Sequence, residues 1–435
     1  MYHGILPIIA ALVLAPAFVY ALPNADAIVV FGEGKYQPDL ITQFGGHVID
    51  ESKSLGMVHA SIPLVSYAAI ASDPSVQFID LDGRVSISSD VPESAAEYSQ
   101  DWGVVAIGAE EAHTSAYTGK GINIAVLDTG VDYTHPDLAP NFKGGYDFIN
   151  EDDDPMDDNG HGTHVAGIIA AARDGSGVVG VAPEASIYAV KVSDSRGKGS
   201  FSGLIKGIDW AIEHDMDIVT MSITGTGGTR ALQKAVEVAY HDYGIILVAA
   251  VGNGGSGEVL YPAAYSDVIG VGSVTADGTK SSFSRTGEEV ELVAPGSDIE
   301  SDAIGGKYRL SSGTSMATPF VTGAAALVLE SDEHMWENTG AVDGDGEWTN
   351  DEVRAVLRET ATDLGDRGFD ETFGYGMLDL HFPAAAEDSD GEAENPSVMP
   401  VSSRDDPVTD SNTSTDSTIS PSADSLWVRF MLSLG

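Results

Sequence analysis

Uninterrupted apolar runs recur through the middle of the chain, at residues 122–127, 187–190, 218–223, 245–250 and 268–271. A strand that is apolar on both sides needs cover on both faces, so these runs predict a sheet buried between layers. Between them Leu204, Ile208, Ala211 and Ile212 recur at helical spacing, and Ala231, Ala235, Val238 and Ala239 do the same. Strand and helix alternating in this way predict an α/β domain with a doubly wound parallel sheet. Ligands in that architecture sit beyond the carboxyl ends of the strands.

The flanks read differently. Residues 27–88 alternate short apolar runs (27–31, 57–62, 77–81) with a helical stretch, predicting a small α/β module. Residues 88–100 are polar and predict an exposed connection, so the large domain is expected over 93–383. From 384 to 435 the chain is rich in Asp, Glu, Ser and Thr with few apolar positions before Leu426, the signature of a disordered tail. Residues 5–21 are apolar and uncharged, with small residues at Val19 and Ala21. They predict a signal peptide over 1–21 and export; no Lys or Arg precedes them, which leaves a weak signal or a buried element as the alternative. The apolar stretch at 426–434 is too short to span a bilayer and contains Arg429, so no lasting membrane insertion is expected.

Charge changes the picture next. Against 67 acidic residues stand 21 basic ones, a formal net charge of -46, which argues against nucleic acid as a partner. Self-repulsion of this size penalises a compact state unless salt screens it, the usual reading of a halophile surface. The absence of cysteine excludes thiol nucleophiles, disulfides and zinc-thiolate sites.

Three short motifs carry candidate chemistry. Asp128 closes the first buried run in Asp-Thr-Gly, so its carboxylate emerges at a strand's carboxyl end. Aspartic proteases use the same tripeptide, but they need two such carboxylates and no second copy occurs here. His161 lies in Gly-His-Gly-Thr-His-Val-Ala-Gly; a structural histidine or a metal pair with His164 are the competing readings, the latter lacking the Glu and third ligand such a helix needs. Ser315 lies in Gly-Thr-Ser-Met-Ala-Thr-Pro ahead of a small-residue helix expected at 321–330. A helix N-terminus there favours developing negative charge, although a serine in this place also serves as a plain cap.

Taken together, with the order Asp, His, Ser, the chain resembles the subtilisin-like serine proteases. Further matches are Asp128-Thr-Gly-Val-Asp-Tyr-Thr-His-Pro-Asp137, Gly177-Val-Val-Gly-Val-Ala-Pro183, Ala249-Ala-Val-Gly-Asn253 and Gly374-Tyr-Gly-Met-Leu-Asp379. The acidic composition is similar to that of haloarchaeal halolysins, whose cysteine-bearing extension this chain lacks. The resemblance implies a secreted, monomeric endopeptidase acting on protein or peptide substrates through an acyl-enzyme. Ser315 is the implied nucleophile, His161 the base, Asp128 its orienting partner, and the Asn253 amide with the Ser315 N–H the oxyanion hole. Residues 27–88 correspond to an inhibitory propeptide removed by self-processing. Ser222, Ile223, Thr224 and Gly225 form one wall of the substrate site, with Thr224 standing where the family has glycine. Ala250, Val251 and Gly252 form the other wall, and Leu260 is a candidate floor for a medium apolar side chain. Extended substrates are expected to pair along 197–201 and 222–225. An intracellular processing protease of the same chemistry and a catalytically silent scaffold are the rival readings.

Calcium is the implied structural cofactor, with Asp137 and Asp174 among its ligands, and no catalytic cofactor is expected. The loop 151–159, with five Asp and one Glu, is a second candidate. A weak EF-hand-like loop is read at 341–352, with Asp343, Asp345, the Glu347 carbonyl and Glu352 in ligand positions but Ala341 in the first. A capping box from Thr349 to Glu352, starting a helix at 351–360, competes for the same residues. The charge balance yields a test: at low ionic strength with calcium present the protein is expected to lose activity and fold, and to keep both near molar salt, where screening shortens from about 10 Å to about 3 Å. Activity and circular dichroism after prolonged incubation check this; full retention at low salt removes the halophile reading.

Overall fold

The structure, a computed structural model, describes residues 24–87 and 102–380. The signal-like stretch, the polar connection and the acidic tail lie outside the described residues. The leading segment forms β1 (Asn24–Phe31), α1 (Asp39–Gln43), β2 (His47–Ser52), β3 (Met57–Pro63), α2 (Tyr67–Ala71) and β4 (Val76–Leu81). Its strands make an antiparallel sheet in the order β2-β3-β1-β4. Val29, Val58 and Ile62 from the sheet close over Ile41 and Ile70 from the two helices, a small core of its own.

Beyond it come β5 (Arg84–Ile87), the short helices α3 (Trp102–Ala106) and α4 (Ala109–Thr114), then β6 (Asn123–Asp128), β7 (Phe142–Asp147), α5 (His161–Ala170), β8 (Ser186–Lys191) and β9 (Lys198–Ser200). Next are α6 (Phe201–Glu213), β10 (Ile218–Met221), β11 (Ile223–Gly225), α7 (Arg230–Glu237), β12 (Ile246–Ala250), β13 (Ile269–Val274) and β14 (Leu292–Pro295). The chain ends its described part with β15 (Ile299–Ala303), β16 (Lys307–Ser311), α8 (Thr314–Glu330) and α9 (Asn350–Glu359).

Seven strands align in parallel in the order β14-β13-β12-β10-β6-β8-β7, the expected α/β subtilisin-type sheet. Along β6 the period of two sends Ile124 and Val126 to one core with α5 and α8, and Ala125 and Leu127 to the other with α6 and α7. Strands β7 and β8 are added on one side of β6 and β10, β12, β13 and β14 on the other. The winding therefore reverses at β6, and a crevice opens at its carboxyl end, where Asp128 stands.

Several elements differ from the sequence reading. The run 218–223 is two strands, β10 and β11, because the chain turns out of the central sheet at Ser222. β7, reading Phe-Lys-Gly-Gly-Tyr-Asp, has no apolar run because it is an edge strand; a Cβ at Gly145 would fall 1.8 Å from the Ala189 carbonyl oxygen, so only glycine fits there. α8 begins at Thr314, not 321, and carries Pro319 inside it. Proline has no N–H to offer the carbonyl four residues back, that of Ser315. The Ser222 hydroxyl donates to that carbonyl instead, at 2.9 Å, so the first turn survives.

Among the described residues no helix is long and apolar enough to cross a membrane. At the sheet's β14 edge Glu291 is buried and receives Arg354 Nε at 2.8 Å and Arg358 Nε at 2.8 Å, tying α9 to the sheet. Removing Arg354 leaves a buried carboxylate short of its main partner, so Arg354→Ala is expected to lower stability by about 3 kcal/mol. Arg358→Ala, whose side chain is 31% exposed, is expected to cost less than half as much. Chemical denaturation of the two variants measures the difference.

Candidate functional site

Asp128 ends β6 and is wholly buried. Its carbonyl receives the N–H groups of Val192 and Ser193, and its Oδ1 receives the Thr129 N–H at 2.7 Å. The same oxygen lies 2.7 Å from His161 Nδ1. A carboxylate there fixes Nδ1 as the protonated nitrogen, which leaves Nε2 a lone pair. Nε2 is buried and meets no hydrogen-bond partner among the described residues.

His161 opens α5 after Gly160, whose φ of 98° lies in the left-handed region. What sets this turn is Asp157. Its Oδ1 accepts from Thr129 Oγ1, Asn159 N and Gly160 N, and its Oδ2 from Thr163 N and Thr163 Oγ1. One buried carboxylate thus joins the residue after Asp128 to the helix that carries His161. The acidic loop is spent in similar ways: Asp158 pairs with buried Lys191 at 2.5 Å and Asp154 accepts from Tyr133. Nothing there gathers as a second ion site.

Ser315, buried in the first turn of α8, donates its hydroxyl to the Ser222 carbonyl at 3.1 Å. Asn253 follows β12, and its Oδ1 accepts from Thr314 N and Oγ1, both at 3.0 Å, which turns its amide nitrogen away from Thr314. Ala250, Val251 and Gly252 lead to it; a Cβ on Gly252 would lie 2.7 Å from Leu260 Cδ1, so Leu260 does face that wall. Arg285 reaches under the same loop to the Glu258 carbonyl at 2.7 Å, a brace that no motif marks.

The strand β5 lies between β9 and β11, antiparallel to both. Ile87 pairs with Ile223, Ser86 with Thr224 and Lys198, and Val85 with Gly225 and Gly199. These are the segments read as substrate-pairing, and here the chain's own leading part fills them. Val85 is buried in one core with Phe201, Leu204 and Ile223. Two carboxylates beside β5 reach the helices behind it: Asp80 accepts from Ala231 N and Arg230 at the start of α7, and Asp82 accepts from Ser202 N and Oγ at the start of α6. Both sit where a helix's free N–H groups favour an anion.

A family model described as the subtilase family, Peptidase_S8, matches residues 119–376. The chain belongs to the subtilase family. Subtilisin E of Bacillus subtilis is 40% identical over 356 residues, covering 80% of this chain and 85% of its own length. A thermostable alkaline protease of Halalkalibacterium halodurans is 40% identical over 331 residues, covering 76% and 84%. The minor extracellular protease Epr of Bacillus subtilis is 37% identical over 373 residues, covering 84% and 55%. This subtilase is accordingly a subtilisin-like serine peptidase, as its motifs implied. The haloarchaeal likeness rests on composition alone.

The metal expectations are rearranged. Among the described residues, ligand-type atoms within 4.8 Å of one another gather as His135, Asp137 and Asp302, and as Glu333, Asp343 and Asp345. Asp174 is in neither group; its Oδ1 accepts from Ser176 within its own loop. Glu352 is in neither group because the capping box is present: its Oε2 accepts from Thr349 N, its Oε1 from Asp343 N, and Thr349 Oγ1 accepts from Glu352 N. Glu333, from outside the EF-hand-like loop, takes the Gly344 N–H at 2.7 Å and the Gly346 N–H at 2.5 Å.

His164 does not pair with His161 on a metal, since Nδ1 of His161 is held by Asp128. It is wholly buried, with Nε2 at 3.1 Å from the Arg309 carbonyl. Burial first, and the Arg309 charge second, push it down to about 3. An unfolded histidine takes up a proton near pH 6.5 whereas the folded one does so only near 3, so stability is full above 6.5 and falls as pH drops below it. The slope from this residue is at most about 1.4 kcal/mol per pH unit. In His164→Gln the dependence between pH 6.5 and 4 is expected to flatten, read from denaturation midpoints at each pH.

Proposed function

We propose that this subtilase is a secreted endopeptidase made as a self-inhibited precursor, with Asp128, His161 and Ser315 as its triad. The observation that carries the reading is the strand β5, laid between β9 and β11 like an extended peptide and leading directly to the Ser222–Ser315 contact. The hydrogen bond from His161 to Asp128 supports the roles. Ser315 Oγ attacks the scissile carbonyl, His161 Nε2 takes the proton and returns it to the leaving amine, and Asp128 steadies the imidazolium. The Asn253 amide nitrogen and the Ser315 N–H, at the start of α8, receive the oxyanion. This chemistry runs on side chains alone and needs no catalytic cofactor.

In this reading residues 27–88 are the propeptide and 93–383 the protease domain, with calcium as a structural ion. The antiparallel register sets Ile87 against Ile223, so the next residue of such a strand falls opposite Ser222. The bond after Ser88 is therefore the proposed first cut. Export is supported by the apolar first 21 residues and by a relative whose name calls it extracellular.

Intact-mass analysis and N-terminal sequencing test this. The wild-type precursor is expected to separate after Ser88 with later trimming, and Ser315→Ala to stay whole. A purified Ser315→Ala protein that matures at the wild-type rate would show that the cut is not its own.

A further inference from the structure

We infer that His135, Asp137 and Asp302 hold a divalent cation of the zinc class, in a buried site behind α5. The three residues come from the loop after β6 and from β15, which are far apart in sequence. Their ligand atoms lie within 4.8 Å of one another, and the side chains are 0%, 2% and 0% exposed. Two glycines leave them room. A Cβ on Gly167 of α5 would lie 2.8 Å from Asp302 Oδ2, and one on Gly177 would lie 2.1 Å from Asp137 Oδ2.

The hydrogen bonds around the imidazole decide which nitrogen is free to ligate. Nε2 of His135 lies 3.0 Å from the Lys307 carbonyl, which can only accept, so Nε2 carries the hydrogen. The backbone N–H of Asp137 points at Nδ1 from 3.3 Å, so Nδ1 presents a lone pair. A carbonyl that orders the far nitrogen in this way is the usual support of a metal-bound histidine. Nδ1 nevertheless faces Asp302 Oδ1 at 3.5 Å, acceptor against acceptor.

Asp302 makes the case for a missing partner. Both its oxygens are buried and neither receives a hydrogen bond among the described residues. Asp137 Oδ2 accepts from Val178 N at 3.1 Å and Tyr308 OH at 3.0 Å, and Asp132 Oδ2 nearby accepts from Gly305 N. Among the described residues no Lys or Arg forms an ion pair with any of these three carboxylates. Buried carboxylates without counter-charge are costly, and a cation between them removes the cost. One imidazole nitrogen with two carboxylates suits zinc and its neighbours, whereas calcium and magnesium prefer all-oxygen cages. This donor set differs from the calcium expectation, which paired Asp137 with Asp174. The bound ion would lock β15 to the loop that leaves Asp128.

The competing account is a proton shared by Asp137 and Asp302; without a cation, burial and Asp137 push Asp302 up to about 9. The full chain carrying Ser315→Ala, stripped with dipicolinate, distinguishes them. Zinc titration by calorimetry is expected to show one saturable equivalent that raises the melting temperature. Cobalt is expected to give visible bands of mixed nitrogen and carboxylate ligation. Asp302→Asn in the same background should bind zinc at least roughly tenfold more weakly, and His135→Gln should lose the cobalt bands. Absence of saturable zinc and cobalt binding in the parent overturns the proposal. So does equal binding with and without Asp302→Asn, which marks adventitious binding by the acidic surface, and so does stoichiometric displacement of zinc by equimolar calcium. A metal-insensitive parent that Asp302→Asn stabilises establishes the shared proton instead. Where circular dichroism shows either variant misfolded, the parent's cobalt spectrum decides.

Discussion

A carboxylate buried at the end of a parallel strand must be supplied with donors by its surroundings, and much of this molecule is shaped by that requirement. Asp128 is placed by β6, but the turn that carries His161 to it is organised by Asp157, which collects donors from Thr129, Asn159, Gly160 and Thr163. Hydrogen bonds to charged groups are worth roughly 1.5–3 kcal/mol each, so several converging on one side chain over-determine the loop. The strained Gly160 and the exact start of α5 follow from it. Positioning of this kind is what lets a single hydrogen bond between Asp128 and His161 hold one tautomer.

The same logic joins the leading module to the rest. An acidic chain has carboxylates to spare, and Asp80 and Asp82 use the free N–H groups at the starts of α7 and α6. Lys206 of α6 meets Asp50 across the same junction. Main-chain pairing along β5 then adds contacts that depend little on side-chain identity. Affinity comes from backbone and helix ends, while the one deeply buried side chain of the strand, Val85, reads the apolar patch around Phe201.

How much of this was legible beforehand depends on range. Buried runs and helical spacing revealed β6, β8, β10, β12 and α6, because those signals are local and periodic. The motifs around Asp128, His161 and Ser315 were legible because each is a short segment with tight backbone demands. The edge strand β7 was not, since an edge needs no continuous apolar run. The true start of α8 was hidden by Pro319, whose missing donor is made good by Ser222, a residue 93 positions away. Asp302 beside His135, and Glu333 beside Asp343, escaped for the same reason: periodicity reports which face a residue takes, not which distant carboxylate it meets. Glu352 fitted both a ligand position and a cap, and local helix chemistry won.

The inserted strand has a consequence that concerns dilution. While β5 and the large domain share one continuous chain, the strand faces its groove at the effective concentration of a tethered segment, of millimolar order for a short connection. Once the connection is severed, the same contacts become a bimolecular encounter, and their occupancy falls with the volume into which the two pieces spread. A crowded compartment keeps the groove filled, and an open medium empties it. Where the molecule is released thus sets when it is free to act, without any change in the contacts themselves.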